Sequence, residues 1–193
     1  EVEMEQEKAV AVAFTGHRKL AGEYPPSEEW MLVRASVLNF IMKLSLEYTR
    51  LHFVSGGALG FDQVGAAAVI MARTMGVNVS LTFALPFPKF QRKWPKQSQE
   101  HLDWLLEQAD KIVYVDKDSA YAPWKMQARN KFMVDRSNMV LALLVQGHSR
   151  GGTFNCVRYA VSHKEAKTVL CMNPHAWEGN GLHPIHPFPI YWR

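Results

Sequence analysis

The sequence predicts an α/β fold: an open, mostly parallel sheet covered by helices on both faces. Short apolar runs alternate with longer segments of helical period along the chain, which is the pattern of strand–helix–strand units. The 193 residues are 48% hydrophobic and 21% charged, enough for one ordinary core and unlike a disordered or low-complexity chain. The most continuously apolar run, Met139–Val145 (MVLALLV), reads as a strand buried on both faces and central in the sheet.

The elements follow in order. Ala9–Phe14 (AVAVAF) is a buried strand that ends in the polar turn Thr15–Lys19. Pro25-Pro26 precedes Ser27, an N-cap for a helix through about Tyr48, with Trp30, Val33, Val37, Ile41 and Leu44 spaced as its core stripe. Leu51–Val54 is a second strand, followed by a glycine loop and an Ala-rich helix over Asp62–Met75. Val77–Leu85 is a third strand, closed by Pro86 and Pro88, and Ser98–Gln108 a helix with Leu102, Leu105 and Leu106 inward. Lys111–Val115 supplies a fourth strand, Met126–Ser137 a helix, and Met139–Val145 the strand already described. After a second glycine turn, Phe154–Lys164 is helical and Thr168–Met172 is the last strand. The expected organisation is an acidic, flexible leader (1–8), one domain (9–172) and an irregular tail (173–193), with no internal repeat.

Charge and cysteine content narrow the function. The net charge is +4, yet Glu1, Glu3, Glu5, Glu7 and Lys8 put −3 into the first eight residues, so the remainder carries +7. That excess suits anionic ligands without the long basic tracts of a DNA-coating protein. Two cysteines, Cys156 and Cys171, make neither a disulfide framework nor a zinc site, which points to a reducing, cytoplasmic setting. No apolar run reaches the roughly 18 residues of a membrane span, and no membrane partner is expected. His175, His183 and His186 in the tail lack carboxylates or cysteines at metal-site spacing, so no metal and no cofactor is expected.

Three loops at strand ends carry the candidate chemistry. In Ser55-Gly56-Gly57-Ala58-Leu59-Gly60-Phe61-Asp62, glycines bring backbone N–H groups close to a ligand, and the start of the next helix favours an anion. A tight turn without a ligand uses the same residues. Gly147–Asn155, with Gly151, Gly152, Thr153 and Asn155, is a second such loop; Gly152 and Thr153 suit a phosphate or ribose, and Thr153 also suits a helix cap, two roles that are compatible. Thr15-Gly16-His17-Arg18 adds a guanidinium for phosphate or carboxylate and an imidazole for hydrogen bonding or proton transfer. In an open α/β sheet such loops share one edge, and ligands bind where they converge. Pro86–Pro95 places Lys89, Arg92 and Lys93 among Phe87, Phe90 and Trp94, as a flap over a nucleotide or a loop pinned by its aromatics. Arg129, at the start of its helix, is expected to reach a phosphate, Asn130 beside it is a further ligand-binding candidate, and Asp135 lies on another face and reads as a structural partner.

TGHR (15–18), SGGALGFDQ (55–63), PF (86–87) with Gln91 and Trp94, QARNKFMVD (127–135) and GGTFNCVRYA (151–160) together resemble the YpsA-like family, over about Ala9–Met172. That family, which includes phage and prophage members, belongs to the SLOG superfamily of Rossmann-like domains. DprA/Smf proteins and LOG phosphoribohydrolases are relatives. The resemblance implies a Rossmann-like fold, a homodimer, and binding of a nucleotide or nucleotide-derived ligand by a sensor or sequestering protein. It implies two alternatives: a nucleotide N-glycosidase with Asp62 or His17 handling water or the leaving base, and single-stranded DNA binding on the basic flap. Met126–Arg129 resembles the LOG segment MHER, giving Arg129 that arginine's role; Arg129→Ala is then expected to abolish binding with little loss of stability. Gly151-Gly152-Thr153 resembles part of PGGxGTxxE, whose closing glutamate falls on Cys156.

Overall fold

The computed structural model of the protein describes residues 7–18, 26–144, 150–172 and 188–189. Most of the acidic leader, Gly147, His148 and Ser149, and His175, His183 and His186 lie outside the described residues. The elements are β1 (Ala9–Gly16), α1 (Glu28–Leu44), β2 (Arg50–Ser55), α2 (Phe61–Thr74), β3 (Val79–Leu85), α3 (Lys96–Glu107), β4 (Lys111–Tyr114), α4 (Pro123–Asp135), β5 (Met139–Leu143), α5 (Gly152–Val161), β6 (Thr168–Met172) and β7 (Phe188–Pro189). The sheet order is β4-β3-β2-β1-β5-β6-β7. The first six strands are parallel, and β7 joins β6 antiparallel. This is the open α/β, Rossmann-like architecture.

Alternation along the strands feeds two cores. Val10, Val12 and Phe14 of β1 face α1, α2 and α3, where Phe14 stacks on Phe53 at 5.5 Å and meets Phe61 edge-on at 5.9 Å. Ala13 faces the other way, into a core with Met133 and Val134 of α4 and Cys156, Val157 and Ala160 of α5. Each fully buried Phe or Leu contributes about 1.5–3 kcal/mol of hydrophobic burial. β1, not β5, is the middle strand; β5 is interior beside it, buried by β1 on one edge and β6 on the other. No described helix is long and apolar enough to cross a membrane.

Boundaries moved where caps decide them. Ser27 caps α1, its Oγ accepting from Trp30 N at 3.1 Å. The helix ends at Leu44 and relaxes into a turn over 45–47, short of Tyr48. α4 begins earlier than its apolar period suggests, because Pro123 at the helix start needs no N–H partner there. Arg129, expected near the beginning of that helix, therefore stands in its middle.

Candidate functional site

The chain starts at the central strand, builds outward through β2, β3 and β4, and returns through α4 to β5 on the opposite side of β1. The carboxyl ends of β1 and β5 therefore form the topological switch point, where open α/β sheets bind ligands. β1 runs two residues further than expected: Thr15 and Gly16 pair with Ala142 and Leu143, and His17 N donates to Leu143 O at 3.1 Å. A cavity of about 290 Å³ opens there. Thr15, Gly16, His17 and Arg18 line it from the end of β1 and the turn after it, Ala58 from the first glycine loop, Asp62 from the start of α2, Arg129 and Asn130 from α4, and Gly152 and Thr153 from α5. Met126 and Gln127 line it too, although neither stood out as a site residue in the sequence.

Beneath the cavity the first glycine loop is already filled. The buried Asp62 carboxylate faces this loop, and the backbone N–H groups of Gly56 and Ala58 pull its pKa down, so the expected anion cradle is turned toward the protein's own carboxyl group. Arg129 reaches in from α4: Nη1 donates to Gly56 O at 2.7 Å and lies 3.8 Å from Asp62 Oδ2, while Nε donates to Asn130 Oδ1 at 2.9 Å. A Cβ on Gly56 would lie 2.2 Å from Arg129 Nη1 and 2.6 Å from Asp62 Oδ2, so only glycine admits this pair. Ser55 Oγ ties the loop to α2 by donating to Asp62 O at 2.7 Å and accepting from Gly57 N at 3.2 Å. Ser55, Gly56, Gly57 and Gly60 thus build the site from below and do not line it.

Burial pushes Asp62 up to about 6, against the opposing pull of Arg129 and the two backbone N–H groups. Its ordinary value is 3.8. The folded pKa is the higher one, so Asp62 favours folding below its unfolded pKa and loses that contribution as pH rises toward 6. A shift of this size corresponds to roughly 3 kcal/mol. The stability of Asp62→Asn relative to wild type, measured by urea unfolding, should rise by about that amount between pH 4 and 7. A difference that stays flat across this range would refute the assignment.

Cys156 occupies the position where the resemblance to LOG proteins places a glutamate. It is buried, and burial pushes its thiol up to about 11 against a smaller opposing pull from Thr15, so it stays protonated and is no nucleophile at neutral pH. The carboxylate on this pocket comes from α2 instead. At α5 the N-cap is Gly151, with no side-chain cap, and Gly152 and Thr153 begin the helix. Thr153 therefore is not a cap, and the first N–H groups of α5 open on the cavity. Asn155 N donates to Gly151 O at 2.9 Å, and neither residue lines the pocket. Asp135 accepts from Tyr159 Oη at 2.7 Å and bonds His163 Nε2 at 3.0 Å, a clip between α4 and α5.

Trp94 is used internally. It meets Phe90 edge-on at 5.1 Å and is half-buried against the main core, while Lys89, Arg92 and Lys93 point outward. A larger cavity, about 620 Å³, lies between α1, α2 and α3, lined by Trp30, Ile70, Met71 and Trp104 among others. Its walls are mainly apolar and it lies away from the carboxyl edge, whereas the smaller cavity gathers Asp62, Arg129, His17 and Arg18. Chemistry, not size, selects the smaller one. Among the described residues no cluster of His, Cys, Asp and Glu could hold a metal ion.

Fold and cavity together define a Rossmann-like α/β protein with a polar pocket at the switch point between its first and fifth strands. The model of the YpsA family, described as the YspA SLOG family, matches residues 12–172, and the chain belongs to this family. It is 29% identical over 165 residues to the uncharacterized SPbeta prophage-derived protein YoqJ of Bacillus subtilis (strain 168), covering 80% of this chain and 88% of that protein. UPF0398 proteins of Bacillus cereus (strain B4264) and Bacillus thuringiensis (strain Al Hakam) are each 23% identical over 90 residues, 47% of this chain and 49% of theirs. The chain thus matches about half the length of these two. Membership in a SLOG family supports a nucleotide-related ligand-binding role at the level of the family.

Proposed function

We propose that the protein binds a nucleotide or nucleotide-derived small ligand in the switch-point pocket, as a sensor or sequestering protein. One observation carries this reading: the uncapped N-terminus of α5 opens on the same cavity as Arg18 and the buried Arg129. Helix N–H groups and guanidinium donors together suit a phosphate. Arg129 Nη2 makes no hydrogen bond among the described residues and is available to an anion.

Asp62 favours a second reading, hydrolysis of an N-glycosidic bond. A pocket carboxyl titrating near 6 suits general acid–base work close to neutral pH. It would take a proton from water as the water attacks the ribose C1′ and the C1′–N bond breaks with its electron pair on the departing base, and would then pass that proton to the base.

Incubation with a panel of nucleoside monophosphates, read by thermal shift and chromatography in the same samples, separates the two. Binding without turnover raises the melting temperature and leaves the compound intact. Release of free base would overturn the pure-binder reading, and a panel without either effect would overturn both.

A further inference from the structure

We propose that Trp124 is the platform on which the planar part of the ligand stacks, with Gln127 level with its sugar. This deepens the nucleotide reading and rests on it.

The sequence singled out Trp94 for stacking, but that ring is spent on Phe90 and the core. Trp124, in the first turn of α4, is 59% exposed. A single solvent-facing indole is ordinary on a protein surface, and only its place in the fold gives it a role. Trp124, Gln127 and Asn130 stand at i, i+3 and i+6 on one slanted ridge of α4, and the latter two line the cavity. The ridge carries the pocket's lining one turn further, to the indole.

The spacing along that ridge matches a ligand. Asn130 sits beside the α5 start, with Nδ2 at 3.5 Å from Gly152 O. Thr153 there is buried, and its side chain makes no hydrogen bond among the described residues. Six residues of helix separate Asn130 from Trp124, about 9 Å at about 1.5 Å per residue, with Gln127 halfway. A phosphate at the α5 end, a ribose at Gln127 and a base at Trp124 occupy those three levels in order.

The indole is also held in place from within. The buried Lys125 ammonium lies 5.7 Å from the Trp124 ring centroid and 5.3 Å from that of Phe87. It is itself fixed by Asp118 O at 2.7 Å, Ala120 O at 2.8 Å and Asp118 Oδ2 at 3.2 Å. A ring braced by a cation needs little ordering when a base arrives, which is how a stacking surface gains affinity.

Calorimetric titration of wild type, Trp124→Ala and Trp124→Phe with AMP and with ribose 5-phosphate tests this. Wild type is expected to bind AMP at least about tenfold more tightly than ribose 5-phosphate. Trp124→Ala should erase that ratio while leaving the ribose 5-phosphate affinity within about twofold, and Trp124→Phe should keep most of it. An unchanged ratio in Trp124→Ala, or an equal loss for both compounds, overturns the platform while the nucleotide reading stands. Failure of wild type to bind either compound overturns the platform together with that reading.

Discussion

Arg129→Ala is expected to destabilise the protein by about 3 kcal/mol as well as to remove ligand binding. The sequence alone suggested a binding residue that could be deleted at little structural cost. In the fold, the Arg129 guanidinium is buried, donates to Gly56 O, and is the cation facing the buried Asp62 carboxylate. Deleting it leaves a buried carbonyl without its donor and a buried carboxylate without its counter-charge, and each omission costs more than the bond itself contributes. Part of the loss is recovered because Asp62 can take up a proton. Its titration should therefore move further above 6, readable by NMR of the Asp62 carboxyl. Arg129→Lys keeps the charge without the planar fork and should fall between wild type and Arg129→Ala. Loss of binding with less than about 1 kcal/mol of destabilisation would return Arg129 to the role of a pure ligand contact.

Gly60→Ala should cost roughly 3 kcal/mol or more and distort the pocket. Gly60 has φ +87°, where an L side chain is strained, and a Cβ there would lie 2.3 Å from the backbone oxygen of Arg18. No rotamer change relieves a clash with backbone, so the Thr15–Arg18 turn must move, and that turn lines the cavity. Gly76→Ala is the control. Gly76 has φ +89° but nothing within 4 Å of its Cβ position, so it isolates the conformational strain. Denaturant unfolding should show Gly60→Ala clearly worse than Gly76→Ala; equal costs would mean that the approach of the two loops imposes nothing.

These two residues show where the sequence was informative and where it stopped. Both glycine loops, the TGHR turn and Arg129 stood out because each is a local signal: a breaker or a cation in a fixed place between a strand and a helix. Their arrangement did not. Arg129 looked like the first turn of a helix because Pro123 and Trp124 fall outside the apolar period of α4, and so its inward reach to Gly56 was hidden. The place of Gln127 on the cavity wall was hidden for the same reason, since the face of a helix that meets a pocket depends on where the helix starts and which loops it crosses. Trp94 looked like a stacking residue by composition, yet Phe90 and the core had claimed it.

Hydrophobic period and the alternation of strand with helix were enough to establish an α/β domain and the order of its elements, because both are properties of consecutive residues. Which loops meet is a property of strand order, and that follows only when β5 packs beside β1 on the side opposite β2. That one pairing brings α5 and α4 to the first glycine loop. There the first glycine loop faces the carboxylate of Asp62, and the first residues of α5 open on the cavity in which a ligand is proposed to bind.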